Sequence, residues 1–198
     1  MSKASYLLAE EPAIDLAVVA AEIRNLEEYI IKDEVYRTVI ASTPGGDRNL
    51  QMTGGDLLAR LYRLQQQRTE LTDAQQNELE TLQSQADKII KSLRTRFHGL
   101  AEREVKTRLN SIAWFLDDCA SDQKRCRTEF PFEIRNRQRI EELLKQFGEG
   151  GLSEELATQL KSIDQRIRIS TRASEFVWDA RIEPFFPKSP YWYLYVLP

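Results

Sequence analysis

The sequence predicts an all-α fold, a helical bundle of about five helices built around a long antiparallel helical hairpin. An extended aromatic strap follows at the C-terminus. Three observations predict this class. Apolar residues recur at intervals of three and four along most of the chain. Glycine and proline are few, 8 and 7 of 198 residues, so helices have few interruptions. The hydrophobic share of 41% is enough for a core, and we expect one domain over residues 1–198.

The first predicted element is an acidic helix over residues 12–41. It opens at Pro12, and its apolar positions step by three and four from Leu16 to Ile30. Residues 35–42 fit either an extension of this helix or a short strand. We favour the extension because no second strand signal lies nearby. Half of the glycines then fall within residues 42–55, which predicts a Gly-rich loop.

Residues 56–121 are predicted to form the long helical hairpin, which is coiled-coil-like. One helix ends near Leu71, and Thr72 caps the next. The apolar stripe of that next helix runs from Leu79 to Leu116 and crosses Gly99 without a change of phase. We therefore expect a continuous or kinked helix over residues 73–119, about 70 Å long.

Residues 131–180 are predicted to form a C-terminal helix pair, the first helix opening at Pro131. The second is capped by Ser153 and carries two stripes, the later one running from Ile169 to Ala180. Residues 184–198 form a Pro/aromatic tail with four of the seven prolines and six of the eighteen aromatic residues. This tail has two interpretations: a strap packed on the chain's own helices, or a segment that docks on a partner or a second copy. The tail residues that would make such contacts are Phe185, Phe186, Tyr191, Trp192, Tyr193 and Tyr195.

Catalytic and metal chemistry have little support in the composition. The single histidine, His98, excludes sites that need several imidazoles from this chain, and we interpret it as a helix-surface residue. Cys119 and Cys126 would lie about 10.5 Å apart on one helix, so we expect two reduced thiols. A carboxylate-only magnesium site remains an alternative, because hard cations need only oxygen ligands. Its candidate ligands are Glu27, Glu28, Asp117, Asp118 and Asp122. We expect no cofactor and no catalytic residue.

Charge is unevenly distributed along the chain, although the net charge is only −3. Residues 1–34 hold three basic and eight acidic residues, whereas residues 91–108 and 124–139 each hold six basic and two acidic ones. Arginine forks suit phosphate groups, which makes a nucleic-acid-associated protein an alternative. The overall pI of 5.4 counts against this alternative, because dedicated nucleic-acid-binding domains are usually basic. The residues of this possible anion face are Arg94, Arg96, Arg103, Arg125, Arg127, Arg135 and Arg139.

Taken together, these patterns favour a non-enzymatic helical protein–protein interaction or scaffold protein, with self-association as one form of that function. The expected partner is a protein or a second copy of the chain. A nucleic-acid-associated protein and a magnesium-dependent enzyme are the alternatives. No apolar run reaches the roughly 20 residues that a membrane span needs, and no signal-peptide core is recognisable. The sequence therefore predicts a cytoplasmic protein without a membrane segment.

Overall fold

The computed structural model describes residues 11–148 and 151–198, and it is mainly helical, with 74% helix and two small sheets. The predicted helical class is confirmed. The helices are α1 (Pro12–Lys32), α2 (Gly54–Gln66), α3 (Asp73–Ser92), α4 (Arg94–Asp118), α5 (Gln123–Glu133), α6 (Arg135–Phe147), α7 (Glu154–Ser170) and the short α8 (Lys188–Tyr191). The strands are β1 (Arg37–Thr43), β2 (Gly46–Met52), β3 (Arg172–Ala173) and β4 (Val196–Leu197). The chain divides into two compact units, an N-terminal unit ending at Glu104 and a C-terminal unit beginning at Val105.

Helix α1 is the centre of the N-terminal unit and packs against β1, α2 and α3. The predicted stripe from Leu16 to Ile30 is fully buried. Asp15, at the start of the same helix, is also buried. Its carboxylate accepts hydrogen bonds from Arg60 and Arg63 of α2, with Arg63 Nη2 at 2.7 Å from Oδ2. A buried carboxylate needs such partners because desolvation penalises its charge.

A β-hairpin replaces the predicted helix extension through residue 41 and the predicted loop over residues 42–55. Helix α1 ends at Lys32, and Asp33 takes the left-handed conformation that commonly follows a helix. Strand β1 then pairs antiparallel with β2, Val39 opposite Leu50 and Thr43 opposite Gly46. The prediction was wrong because the Gly, Asp and Asn of β2 are poor strand formers. The pairing is stabilised instead by the inner face of the hairpin, which packs on Val18 and Ala21 of α1.

The predicted helix over residues 73–119 is two helices, because Leu93 leaves helical geometry between α3 and α4. The hydroxyl of Ser92 donates to the carbonyl of Ile89 at 3.0 Å, a local bond that competes with the helical backbone pattern. At Gly99, where we expected continuity, the helix is indeed unbroken. Thr72 caps α3 as predicted, and Gln75 completes a capping box with it.

The C-terminal unit departs from the prediction at two helix boundaries. Pro131 lies inside α5 instead of opening a helix, and α6 begins only at Arg135. Helix α7 ends at Ser170, so the second stripe, from Ile169 to Ala180, does not lie on one helix. The chain instead enters β3, which pairs antiparallel with β4 and fixes the end of the chain.

The two cysteines form a disulfide, which contradicts the expectation of reduced thiols. That expectation assumed one continuous helix, whereas α4 ends at Asp118 and a turn follows. The side chain of Asp122 caps α5 by accepting from the backbone N–H of Arg125 at 3.0 Å. The chain therefore folds back, and the Cα atoms of Cys119 and Cys126 lie 4.9 Å apart, within disulfide range.

Candidate interaction surfaces

The seven arginines of the predicted anion face belong to two separate units, and several bind acceptors of the chain itself. In the N-terminal unit, Arg96 donates to the carbonyl of Ile31 at 3.2 Å, and Arg103 binds Asp33. Both cations thus neutralise the carbonyl end of α1, a favourable position for positive charge. In the C-terminal unit, Arg125 is paired with Glu129. The other members of the set lie on α4, α5 and α6, namely Arg94 (exposed), Arg127 (exposed), Arg135 (half-buried, bonded to the carbonyl of Phe132) and Arg139 (half-buried).

The tail residues proposed for interaction lie on the chain's own helices, as in the strap interpretation. Phe186, Tyr191 and Tyr193 are buried, and the remaining three, Phe185, Trp192 and Tyr195, are half-buried. The rings of Phe186 and Tyr191 meet edge to face at 5.1 Å. The guanidinium of Arg168, on α7, stacks 3.5 Å from the centre of the Trp192 ring.

A buried ionic cluster lies beneath the strap. The guanidinium of Arg137, on α6, binds Asp164 of α7 at 2.8 and 3.1 Å and Glu141 at 2.8 Å. It also lies 4.9 Å from the centre of the Tyr193 ring. Burial by itself lowers the pKa of Arg137, but the bonds to Asp164 outweigh it and raise that pKa above its ordinary value. Burial raises the pKa of the Tyr193 hydroxyl well above its ordinary value. The strap, α6 and α7 are thus joined by charge as well as by packing.

A cavity of about 330 Å³ adjoins the disulfide in the C-terminal unit. Phe115 and both cysteines line it, together with the acidic residues Asp118, Asp122, Glu129 and Glu133 and the basic Arg125. Burial raises the pKa of Glu133. Within residues 11–148 and 151–198, no three carboxylate, cysteine or histidine side chains are placed to share a metal ion. Three of the five proposed magnesium ligands have partners in the chain: Glu28 pairs with Lys32, Asp117 pairs with Arg166, and Asp122 accepts from the N–H of Arg125.

The glycine pair at the start of α2 meets a carboxylate of this chain. Both Glu104 oxygens accept from the N–H of Gly55, at 3.1 and 3.0 Å, and Thr53 caps the N–H of Asp56. The positive end of the helix is thus neutralised by Glu104. A Cβ on Gly54 would lie 3.2 Å from the Phe97 ring, so a side chain at this position would press on that ring.

Two large apolar side chains of the C-terminal unit point into solvent. Trp114, on α4, is 70% exposed, and Ile169, on α7, is 76% exposed. The two helices run parallel, because contacts recur at a constant offset along both. Lys106 lies 3.6 Å from Glu155, Asn110 bonds Gln159 at 2.9 Å, and Asp117 bonds Arg166 at 2.6 Å.

Helical geometry places Trp114 and Ile169 on the same side of this helix pair. The residues of α4 that contact α7 form a line along the helix. The buried residues Leu109, Ile112 and Leu116 lie on one side of this line, and Trp114 lies on the other side. On α7 the buried residues Leu156, Ile163 and Ile167 face the same core, and Ile169 lies on the opposite flank. We call the side that carries Trp114 and Ile169 the outer face of α4 and α7.

The N-terminal unit has its own exposed apolar residues around the hairpin. Ile40, on β1, is 62% exposed, and Ile31, in the last turn of α1, and Tyr36, on the segment that leads from α1 into β1, are about half exposed. Ile40 points away from α1 together with Thr38 and Ser42, because alternate residues of a strand face opposite sides. The segment itself is held by Tyr29, whose hydroxyl donates to the carbonyl of Val35 at 3.2 Å.

Sequence reasoning missed these exposed residues, although one signal was available. Trp114 lies outside the stripe that contains Leu109, Ile112 and Leu116, so the pattern places a large aromatic residue on a polar helix face. Ile40 is predicted on a helix that ends at Lys32 in the structure, and Ile169 is predicted to begin a stripe that continues beyond Ser170, where α7 ends.

Comparison of the chain with protein-family models, with curated proteins and with solved structures found no match. Among the described residues, no helix combines the length and the apolar character required to cross a membrane.

Proposed function

We propose that this chain is a non-enzymatic protein–protein interaction or scaffold protein. The observation that carries the proposal is the outer face of α4 and α7, where Trp114 and Ile169 are both largely exposed. A single exposed apolar residue needs no explanation, but two large apolar side chains exposed on the same side of one helix pair are typical of an interaction surface. Tryptophan is also the residue type most enriched among the anchors of protein interfaces.

The setting of Trp114 supports an anchoring role. The helix that carries it is fixed to α7 by the contacts of Asn110 and Asp117, so its backbone is held before a partner arrives. A side chain presented on a rigid element loses little conformational entropy on binding. The partner that fits is a protein with an apolar pocket for the indole ring and a polar rim.

The proposal includes the predicted bundle with a coiled-coil-like hairpin over residues 56–121, whose long helices would present the interaction surface. The break at Leu93 divides the longer arm of this hairpin into two helices.

The cytoplasmic location of the protein also stays a prediction. The Cys119–Cys126 disulfide counts against it, because structural disulfides are typical of oxidising compartments.

Quantitative affinity capture with the full chain tests the proposal. Trp114→Ala and Ile169→Ala should each release the same captured protein, and Arg127→Ala, which shortens another exposed side chain, should retain it. The Arg127→Ala chain is a matched control because it also truncates a long side chain on a helix surface. Capture that is identical for all four chains, or no capture above background by the unmodified chain, would contradict the proposed surface.

A further inference from the structure

We propose that β1 is a dimerisation edge, at which a second copy of this chain adds its own β1 in antiparallel orientation. The inference rests on the proposed interaction function and names one partner. Its first support is the sheet itself, which has two strands. In the part of the chain that the structure describes, no third strand pairs with β1. Every second residue of an edge strand directs its backbone N–H and C=O away from the paired strand, where another strand can bind them.

The β1 edge lacks the features by which proteins usually block such pairing. Residues 38–43 contain no charge, no proline and no glycine. Natural edge strands are commonly protected by lysine, proline or a bulge. The register from Arg37 to Thr43 is continuous against β2, without an unpaired residue. Strand β2, by contrast, carries Asp47 and Arg48 next to the turn, whereas the only charged residue of β1 is Arg37 at its first position.

The sequence of β1 suits pairing with itself. A two-fold axis at Ile40 places Ile40 opposite its own copy, Thr38 opposite Ser42, and Val39 opposite Ala41. The pairs on the outer side would then be apolar or hydroxyl-bearing, and no like charges would face each other. The one charged residue, Arg37, would lie opposite Thr43, and its guanidinium is already paired with Glu28.

Among the apolar residues of β1, exposure is greatest at Ile40, where this pairing would bury it, whereas Val39 and Ala41 are already buried. Ile40, at the proposed axis, is 62% exposed, and Tyr36, in the segment just before the strand, is about half exposed. A second copy supplies the same uncharged strand and the same apolar residues at equal concentration. An unrelated partner would have to provide an extended, uncharged segment, and nothing in the structure selects one. The observations therefore favour a second copy.

Light scattering of the purified full chain across a wide range of concentration tests the inference. We expect a concentration-dependent dimer. Ile40→Lys should weaken it by about tenfold or more, because two ammonium groups would meet at the axis. Asn49→Lys places the same charge on the neighbouring position of β2 and should leave the dimer unchanged. An equimolar mixture of the Ile40→Lys and Ile40→Glu chains should associate again.

A cross-linking variant keeps the test decisive if a charged residue disturbs folding. Both native cysteines are in the disulfide, so Ile40→Cys introduces the single free thiol. Opposed Cβ atoms in an antiparallel pair lie about 5 Å apart, so mild oxidation should link two chains, whereas Asn49→Cys should not. A chain that is monomeric at every concentration, or a dimer indifferent to Ile40→Lys and to oxidation of Ile40→Cys, would overturn the inference. Capture that depends on Trp114 would remain a separate result, so failure of the dimer and failure of the proposed function are distinguishable.

Discussion

The hydroxyl of Tyr191 connects the C-terminal strap to α6, and its removal tests how the strap is held. It donates to Glu142 Oε1 at 2.8 Å and accepts from Lys145 Nζ at 2.9 Å. Glu142 is buried, so its charge depends on these partners. The Tyr191 ring also packs edge to face on Phe186, and Tyr191→Phe keeps that contact while removing the polar ones.

The expected loss follows from the type of hydrogen bond removed. A hydrogen bond to a charged group contributes about 1.5–3 kcal/mol, and Lys145 still neutralises Glu142 in the variant. We therefore expect Tyr191→Phe to lower the free energy of unfolding by about 2 kcal/mol, which is about 4–8 °C in Tm for a chain of this length. Tyr195→Phe is the matched control, because that hydroxyl donates to the neutral carbonyl of Phe186. Its loss should be about 1 kcal/mol.

Thermal unfolding followed by tryptophan fluorescence measures this difference. All three tryptophans, Trp114, Trp178 and Trp192, lie in the C-terminal unit, so the signal reports on the unit that contains the strap. If Tyr191→Phe lowers Tm by no more than Tyr195→Phe, the hydroxyl of Tyr191 does not stabilise the buried carboxylate. The strap would then be held by packing alone and not by an electrostatic anchor at Glu142.

Three further predictions concern other parts of the chain. Glu104→Ala should lower the free energy of unfolding, measured in urea, by about 3 kcal/mol, because the buried N–H of Gly55 then loses the two Glu104 oxygens as acceptors. Glu104→Gln, which keeps one acceptor oxygen, should lower it by about 1 kcal/mol. Equal losses for the two variants would contradict this prediction. Replacing Cys119 and Cys126 together by serine should lower the free energy of unfolding by about 2–3 kcal/mol relative to the oxidised chain, because the unfolded chain regains the entropy that the closed loop had removed. An unchanged urea midpoint would contradict this prediction and show that other contacts fix the turn. Burial raises the pKa of Glu133 in the folded state, so its contribution to stability is favourable below the unfolded pKa and is lost as pH rises through the folded one. Glu133→Gln should therefore raise Tm relative to the unmodified chain near about pH 7, and the gain should vanish towards about pH 4; a gain independent of pH would contradict it.

Local periodicity predicted most of the helical core. The stripe from Leu16 to Ile30 is buried as expected, and so are most members of the stripe from Leu79 to Leu116. The two members that are only half-buried, Ile89 and Leu93, lie at the break between α3 and α4. Burial of a helix face depends on residues near in sequence, and therefore the pattern alone indicates it.

The hairpin was not predictable in the same way, because its pairing depends on non-local contacts, and the disulfide was missed because the helix was assumed to continue through the turn. Strand β2 has weak strand propensity, and its pairing is supported by Val18 and Ala21 of a helix far from it in sequence. The disulfide requires the turn that Asp122 caps, and that cap was readable from the sequence as a helix-start residue.

The candidate surfaces were even less accessible to sequence reasoning. Trp114 and Ile169 lie on different helices, and they share a side only because α4 and α7 run parallel in the fold. The arginines that suggested an anion face are close in sequence, but this closeness does not give them a common binding function. Arg96 and Arg103 are clustered in sequence, but each binds the carbonyl end of α1, a role that charge counting does not distinguish from phosphate binding.

Oxidative footprinting of Trp114 in intact cells and in the purified chain is the most direct test of the interaction function. In the purified chain, Trp114 should be oxidised readily, as its exposure requires, and the buried Trp178 should be protected. We predict that Trp114 becomes protected in the cell, where a partner covers the outer face of α4 and α7, while Trp178 stays unchanged. Equal oxidation of Trp114 in the cell and in the purified chain would contradict the proposal that this surface binds a protein.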